Sequence, residues 1–146
     1  MSVFATNPRA HFDYQILETY EAGIVLSGYE VKAVKSSKVS LRGAYVKIIN
    51  NEPVLIGALI SPYQANNVPA DYDTQRTRKL LLKKKEVEHL FNKTVEMGAT
   101  LVPLKLFGKN GLIKLEIGLA RGKKKYDKRE TIKKRDVEKK IRRAVK

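Results

Sequence analysis

Two runs of alternating apolar residues, separated by a tight-turn signal, constrain the fold of this chain more than any other feature. Residues 99–120 read ATLVPLKLFGKNGLIKLEIGLA. Successive side chains of a strand point to opposite faces, so each run predicts a strand with one face in a core. Asn110-Gly111 tolerates the positive φ angles of a hairpin turn. The segment therefore predicts a long antiparallel hairpin, with Pro103 at an edge or a bulge because proline has no N–H to donate.

Other segments extend the β pattern and add helices. AYVKIINNEPVLIGALI predicts a second hairpin around Asn50-Asn51, and residues 11–28 predict one or two strands with Gly23 as a candidate bend or bulge. KKKEVEHLFNKTVEMG has the apolar spacing of a helix that stops at Gly98, and YEVKAVKSS is a shorter helix candidate. Short strands with one or two helices and no βαβ rhythm predict a mainly β fold, a small antiparallel barrel.

Positive charge is concentrated at the C-terminal end. Of the net charge of +15, residues 121–146 contribute +10 and residues 1–120 only +5. Lys and Arg that neutralise phosphates release condensed counterions, so nucleic acid is the favoured partner and an anionic membrane surface the alternative. Apolar residues are sparse after Gly122, so we expect a tail that is disordered in free solution and helical on a partner that supplies negative charge.

The residue types present argue against several classes of protein. The chain has no cysteine and two histidines, which leaves no disulfide and no zinc-site spacing. No signal peptide or stretch of about eighteen apolar residues is apparent. Phosphate-binding loops, nucleophile elbows and HExxH motifs are absent, so we expect neither a cofactor nor a catalytic site. These observations favour a soluble, basic, intracellular and non-enzymatic protein that does not span a membrane.

A second basic cluster, QRTRKLLLKKK at residues 75–85, has two interpretations. In the first, it is a core strand with charged flanks. In the second, it is a phosphate-contacting rim beside an exposed leucine that packs on a base or sugar. Both interpretations can hold, each for different residues of the cluster.

Several motifs occur together and in order along the chain. They are NPRAHFDY at 7–14, ETYEAGIVLSGYEVKAVKSSK at 18–38, RTRKLLL at 76–82, GLARGKKKYDKR at 118–129 and the downstream IKKRD. As a set, they strongly resemble the SsrA-binding protein (SmpB) family. Nearly the whole chain is covered by this resemblance.

The resemblance implies both a fold and a function. The fold is an OB-like antiparallel β-barrel over residues 1–120, followed by a basic tail over 121–146. The function is binding of the tRNA-like domain of transfer-messenger RNA and its delivery, with elongation factor Tu, to stalled ribosomes for trans-translation. The tail would enter the empty mRNA channel near the decoding site of the small subunit and fold there as a helix.

The resemblance also implies roles for individual residues. Glu21 and Leu81 match RNA-contacting positions of the family, while Lys83 stands where the family often has Asn or His. Cationic residues are expected to contact RNA: Lys32, Lys35, Arg76, Arg78, Lys79, Lys83, Arg121, Lys123 and Lys124. Tail residues are expected to act in the ribosomal channel: Asp127, Lys128, Arg129, Lys133, Lys134 and Arg135. A structural ribosomal protein, a general RNA chaperone and a nuclease are the rival functions.

Overall fold

The computed structural model describes residues 2–122, and most of its regular structure is β-strand. The described helices are α1 (Ala10–Asp13), α2 (Gly28–Lys35) and α3 (Lys84–Met97), with a 3₁₀ turn at Ala65–Asn67. The described strands are β1 (Ser2–Thr6), β2 (Tyr14–Ile24), β3 (Val39–Ser40), β4 (Tyr45–Ile49), β5 (Glu52–Ile56), β6 (Leu59–Ile60), β7 (Arg78–Leu81), β8 (Thr100–Lys109) and β9 (Leu112–Gly122). The predicted mainly β fold with helices is confirmed.

The larger sheet closes on itself. Its strand order is β1-β8-β4-β5-β7-β2-β9, and β9 also pairs with β8. Strands β8, β4, β5, β7, β2 and β9 thus form a ring, and β1 pairs with β8 as an additional strand of the same sheet. Every pairing in this ring is antiparallel, as the sequence predicted. Strands β3 and β6 form a separate two-stranded sheet.

The predicted β8–β9 hairpin is present. Its turn places Asn110 and Gly111 at φ angles of 53° and 76°, the left-handed region that this dipeptide tolerates. The register shifts between Pro103 and Lys105, so Pro103 does lie at a bulge. Strand β9 pairs with β8 on one side and with β2 on the other along nearly its whole length. The second predicted hairpin, β4–β5, turns at Asn50-Asn51, where both φ angles are also positive.

Strand β2 differs from its prediction in one respect. It is one continuous strand from Tyr14 to Ile24, and its irregularity lies between Ile16 and Glu18 instead of at Gly23. Gly23 pairs regularly with Leu81 of β7 and Lys114 of β9. Its lack of a side chain accommodates a close neighbour, so the glycine marks an approach between strands and not a bend.

Both predicted helices are confirmed. Helix α3 begins after Lys83, whose backbone N–H donates to the Glu86 carboxylate, and it ends at Gly98 with φ 62°. Its buried residues are Val87 and Leu90. Helix α2 buries Ala33 and Val34, and its lysines face solvent.

The core lies inside the ring of strands. Its main cluster contains residues that are almost completely excluded from solvent, among them Ala22, Leu55, Leu80, Leu90, Leu106, Leu115, Ile117 and Leu119. Complete burial of one large aliphatic side chain stabilises a fold by about 1.5–3 kcal/mol. Strands β2, β7 and β9 are therefore held firmly by their inner faces, which leaves their outer faces free for function.

Strand β9 reaches Gly122, past the predicted domain boundary after Ala120. Arg121 and Gly122 belong to the sheet, where they pair with Gln15 and Tyr14. The predicted tail from residue 123 onward, including its expected disorder and its expected helix, lies outside the described residues.

Candidate nucleic-acid interface

Glu21 lies on the outer face of β2. Its neighbour Ala22 is fully buried, whereas the Glu21 side chain is 48% exposed. The Nζ atom of Lys109, at the end of β8, donates to both carboxylate oxygens, at 3.3 Å from Oε1 and 3.2 Å from Oε2. The strand alternation therefore presents a carboxylate to solvent, with a cation on one side of it.

Leu81 lies beside Gly23 on the same outer face. Gly23 and Leu81 are direct partners between β2 and β7, and Glu21 is two residues from Gly23. A Cβ atom on Gly23 would lie 3.2 Å from the Cβ of Leu81, closer than side chains ordinarily pack. Leu81 is 56% exposed, whereas Leu80 before it is buried. Leu80 is thus a core residue, as the first interpretation has it, and Leu81 is exposed, while its contact with RNA stays a prediction.

Two lysines flank Leu81 along the chain. Lys79 is exposed on the same face of β7, and its Nζ lies 3.4 Å from Oε1 of Glu52. Lys83 is exposed at the start of α3. We call the set formed by Glu21, Lys79, Leu81, Lys83 and Lys109 the outer β2–β7 face. It combines one acid, one apolar side chain and three cations.

Helix α2 brings a further predicted cation close to this face. Lys35 lines a cleft of about 280 Å³ together with Lys109, Asn110 and Leu112 from the β8–β9 hairpin. Lys32 is exposed on the same helix, one turn before Lys35. The fold thus groups Lys35 with Lys109, which in turn contacts Glu21.

Arg78 occupies a different environment from the one predicted. Its side chain is fully buried. It donates to Oε2 of Glu30 from Nε at 3.0 Å and from Nη2 at 2.7 Å, and its Nη1 donates to the Ala58 carbonyl at 2.6 Å. The guanidinium is thus committed to protein acceptors, so Arg78 is not positioned to contact a phosphate, and we leave it out of the interface.

Arg76 belongs largely to the same network. Its guanidinium pairs with Glu30, its Nε at 3.2 Å from Oε2, and its side chain remains one-third exposed. The Tyr72 hydroxyl lies 3.0 Å from both Oε2 of Glu30 and the Ile60 carbonyl. The network ties α2 to the segment between β6 and β7, so the first role of Arg76 is to hold that segment.

The network sets the protonation state of Glu30. Burial alone would raise the pKa of this carboxyl, but hydrogen bonds from Arg76, from the Ser27 backbone N–H and from Arg78 outweigh it and lower the pKa to about 2. Burial of the phenol, and then the nearby Glu30 carboxylate, raise the pKa of Tyr72. Glu30 is therefore an ionised buried group with every partner supplied by the fold.

Arg121 lies away from the outer β2–β7 face. It is exposed at the end of β9, where it pairs with Gln15, and its Nη2 lies 3.4 Å from the Gln15 side-chain oxygen. Gln15 and Glu21 are near opposite ends of β2, roughly 20 Å apart at the rise of an antiparallel strand. The structure therefore does not bring Arg121 together with Glu21.

The remaining predicted residues lie outside the described part of the chain. They are Lys123, Lys124, Asp127, Lys128, Arg129, Lys133, Lys134 and Arg135. Their roles stay predictions.

Sequence reasoning missed three residues that shape the site. Lys109 reads only as the flank of a hairpin turn, Gly23 as a bend, and Glu30 as one of several acids. Each acts on a residue distant in the sequence, so local patterns carry no signal for it. Within residues 2–122, no group of three or more metal-ligating side chains occurs, and no helix is long and apolar enough to cross a membrane.

Comparisons with known proteins point to one family. Residues 4–146 match the family described as SmpB protein. An SsrA-binding protein of Ligilactobacillus salivarius is 49% identical over 99% of this chain and 93% of its own length, and one of Trichodesmium erythraeum is 47% identical over 99% and 92%. A chain from a solved structure, described as "tmRNA-SmpB: a journey to the center of the bacterial ribosome", is 43% identical with a TM-score of 0.67, over 87% of this chain and 92% of that one. The chain therefore belongs to the SmpB family of SsrA-binding proteins.

Proposed function

We propose that this chain binds the tRNA-like domain of transfer-messenger RNA through the outer β2–β7 face and helps to deliver and accommodate that RNA on stalled ribosomes for trans-translation. The names of its relatives and the ribosomal context of the similar solved chain support this function. The observation that carries it is the presentation of Glu21 and Leu81 together, on neighbouring strands that are anchored by a buried inner face.

The chemistry of the face suits structured RNA with unpaired bases. An exposed leucine can pack on a base or sugar, and a carboxylate accepts hydrogen bonds from base N–H groups or a 2′-hydroxyl while it repels phosphates. Lys79, Lys83 and Lys35 supply the attraction to the RNA backbone. This mixture favours one RNA shape over a general polyanion, which distinguishes it from the surface of an RNA chaperone.

The tail completes the proposal. Residues 121–146 carry +10, which suits a channel lined with ribosomal RNA phosphates once mRNA no longer fills it. In this scheme Asp127, Lys128 and Arg129 act in accommodation and Lys133, Lys134 and Arg135 continue the contact. Elongation factor Tu is the partner during delivery, and the site of action is the ribosome in the cytoplasm. Peptidyl transfer and GTP hydrolysis belong to the ribosome and that factor, so this chain needs no catalytic group.

Binding assays on the full chain test recognition by the body. We would measure affinity for a tRNA-like-domain fragment and for an ordinary tRNA over a salt series, with wild type, Leu81→Ala and Leu59→Ala. Leu59 is the control because it is an exposed leucine of β6, in the separate sheet. We expect Leu81→Ala to weaken binding of the fragment about tenfold, because an apolar side chain no longer packs against the RNA, and Leu59→Ala to leave it unchanged. Equal affinity of the wild type for both RNAs would refute the proposal in favour of a general RNA-binding role.

A separate assay tests the tail. Combined replacement of Asp127, Lys128 and Arg129 by alanine should leave fragment binding intact and abolish peptide tagging on stalled ribosomes in a reconstituted system. Normal tagging by this variant would remove the tail motif from the mechanism.

A further inference from the structure

The outer face contains two glutamates directly opposite each other. Glu21 of β2 and Glu116 of β9 are paired across the strands, so their side chains share one face. Like charges in this position destabilise a sheet unless each is compensated. Strand β8 supplies one lysine to each acid. Lys105 Nζ lies 3.6 Å from Oε2 of Glu116, and Lys109 Nζ lies within hydrogen-bonding distance of both oxygens of Glu21.

The Lys109 contact spans a strand. Lys109 is on β8 and Glu21 on β2, with β9 between them, and Lys109 is paired with Leu112 at the hairpin end. Its ammonium reaches across the face to the carboxylate and contacts both oxygens. This contact compensates the charge of Glu21, as Lys105 compensates that of Glu116.

The pair is poorly explained as a device for stability. Both side chains are about half exposed, and ion pairs of this kind contribute little to the free energy of unfolding. We expect the pair to have a larger effect on the affinity for RNA. A bare carboxylate next to RNA phosphates would be repelled by them, whereas one neutralised at 3.2–3.3 Å can accept a hydrogen bond from a base or a 2′-hydroxyl.

We propose that Lys109 is a positioning residue for Glu21: it orients and neutralises the carboxylate so that Glu21 can bind RNA hydrogen-bond donors among phosphates. This inference rests on the proposed function and adds to it a residue of the β8–β9 hairpin. Lys109 acts through Glu21, so its contribution to RNA affinity disappears when Glu21 is neutral.

A double-mutant cycle on the full chain tests this coupling. Binding to the tRNA-like-domain fragment would be measured for wild type, Lys109→Ala, Glu21→Gln and the double variant. Lys105→Ala is the control, because it removes the same charge from the same strand beside the other glutamate. We expect Lys109→Ala to weaken binding about tenfold, the loss expected for a hydrogen bond to a charged group, and the double variant to bind no worse than Glu21→Gln.

The salt dependence separates positioning from direct phosphate contact. A lysine that neutralises a phosphate contributes about 0.9 to the slope of log affinity against log salt, so its removal lowers that slope. We expect Lys109→Ala to keep the wild-type slope and Lys109→Arg to restore most of the affinity. Independent, multiplicative losses in the cycle, or a Lys109→Ala variant that behaves like Lys105→Ala, would overturn the proposal. Its failure is distinguishable from failure of the proposed function, in which the wild type itself would not prefer the fragment to tRNA.

Discussion

Glu21 and Glu30 show how one residue type serves two purposes in this protein. Glu30 is fully buried and accepts hydrogen bonds from two arginines and a backbone N–H, whereas Glu21 is half exposed and contacts one lysine. Burial makes the first group expensive to leave unpaired, so its partners are numerous and fixed. Exposure makes the second group almost irrelevant to stability, and its partner is a single flexible side chain. The buried carboxylate therefore determines the fold, and the exposed one is free to determine what the fold binds.

The largest expected effect comes from removing the buried carboxylate. Glu30→Ala leaves the Arg78 guanidinium buried without its counter-ion, and loss of one partner of a buried pair costs about 3–5 kcal/mol. Glu21→Ala should change the free energy of unfolding by less than about 1 kcal/mol. Chemical denaturation of both variants measures the difference. Similar losses for the two would show that exposure does not separate their roles.

The pH dependence of stability should carry the signature of Glu30. Its pKa in the folded state is about 2, below the ordinary value of 4.5, so the stability that it contributes is present above about pH 4.5 and is lost as the pH falls toward 2. That contribution is about 3 kcal/mol. Urea unfolding between pH 6 and pH 2, with Glu30→Gln as a non-titrating reference, measures it. If wild type and Glu30→Gln lost stability in parallel, Glu30 would not be the titrating group.

A substitution at Gly23 tests the exposed face of the sheet, where Gly23 contacts Leu81. Gly23→Ala places a Cβ 3.2 Å from that of Leu81, so we expect Leu81 to shift, fragment binding to weaken severalfold and the free energy of unfolding to fall by about 1 kcal/mol. Gly122→Ala is the matched control, since nothing lies within 4 Å of the added atom. Isothermal titration and thermal unfolding give the two readouts. Wild-type binding by Gly23→Ala would mean that the position of Leu81 is not important for recognition.

The smallest expected effect on stability comes from removing an exposed contact between α3 and β2. Nε2 of His89 on α3 lies 3.0 Å from Oε2 of Glu18 on β2, and Glu18 also accepts a hydrogen bond from Tyr20. Burial, and then this hydrogen bond, raise the pKa of Tyr20 to about 12. His89→Ala should lower the free energy of unfolding by less than about 1 kcal/mol, because the contact is open to solvent. Leu90→Ala, one residue further and fully buried, should cost about 2–5 kcal/mol. Equal effects in denaturation experiments would contradict the view that buried contacts carry the docking of α3.

Local patterns in the sequence were sufficient for the elements. Alternation and Asn110-Gly111 predicted the β8–β9 hairpin, and apolar spacing with Gly98 predicted α3, because these features depend on neighbours in the chain. The strand patterns also predicted a small antiparallel barrel, but the order of its strands depends on pairings between residues distant in the sequence. The OB-like type of barrel was therefore implied only by the family resemblance.

The candidate site was predicted less completely, for a physical reason. In the sequence, Arg78 is part of a basic cluster. Only the structure shows that it lies close to Glu30, 48 residues away in sequence, and forms a buried ion pair with it. Lys109 and Glu21 are likewise 88 residues apart. Single residues such as Leu81 were found because a motif contained them. Contacts between side chains on different elements produce no local pattern in the sequence, so they could not be predicted.

The double pairing of β9 has a mechanical consequence for the chain that continues beyond Gly122. A pull applied at Gly122 along the axis of β9 would act at right angles to the hydrogen bonds that join β9 to β2 and β8. Such bonds are loaded in shear, so many of them must fail together before the strand slides. A pull on the tail would accordingly displace the whole body as one unit, with the outer β2–β7 face carried along, before it could strip the strand from the sheet.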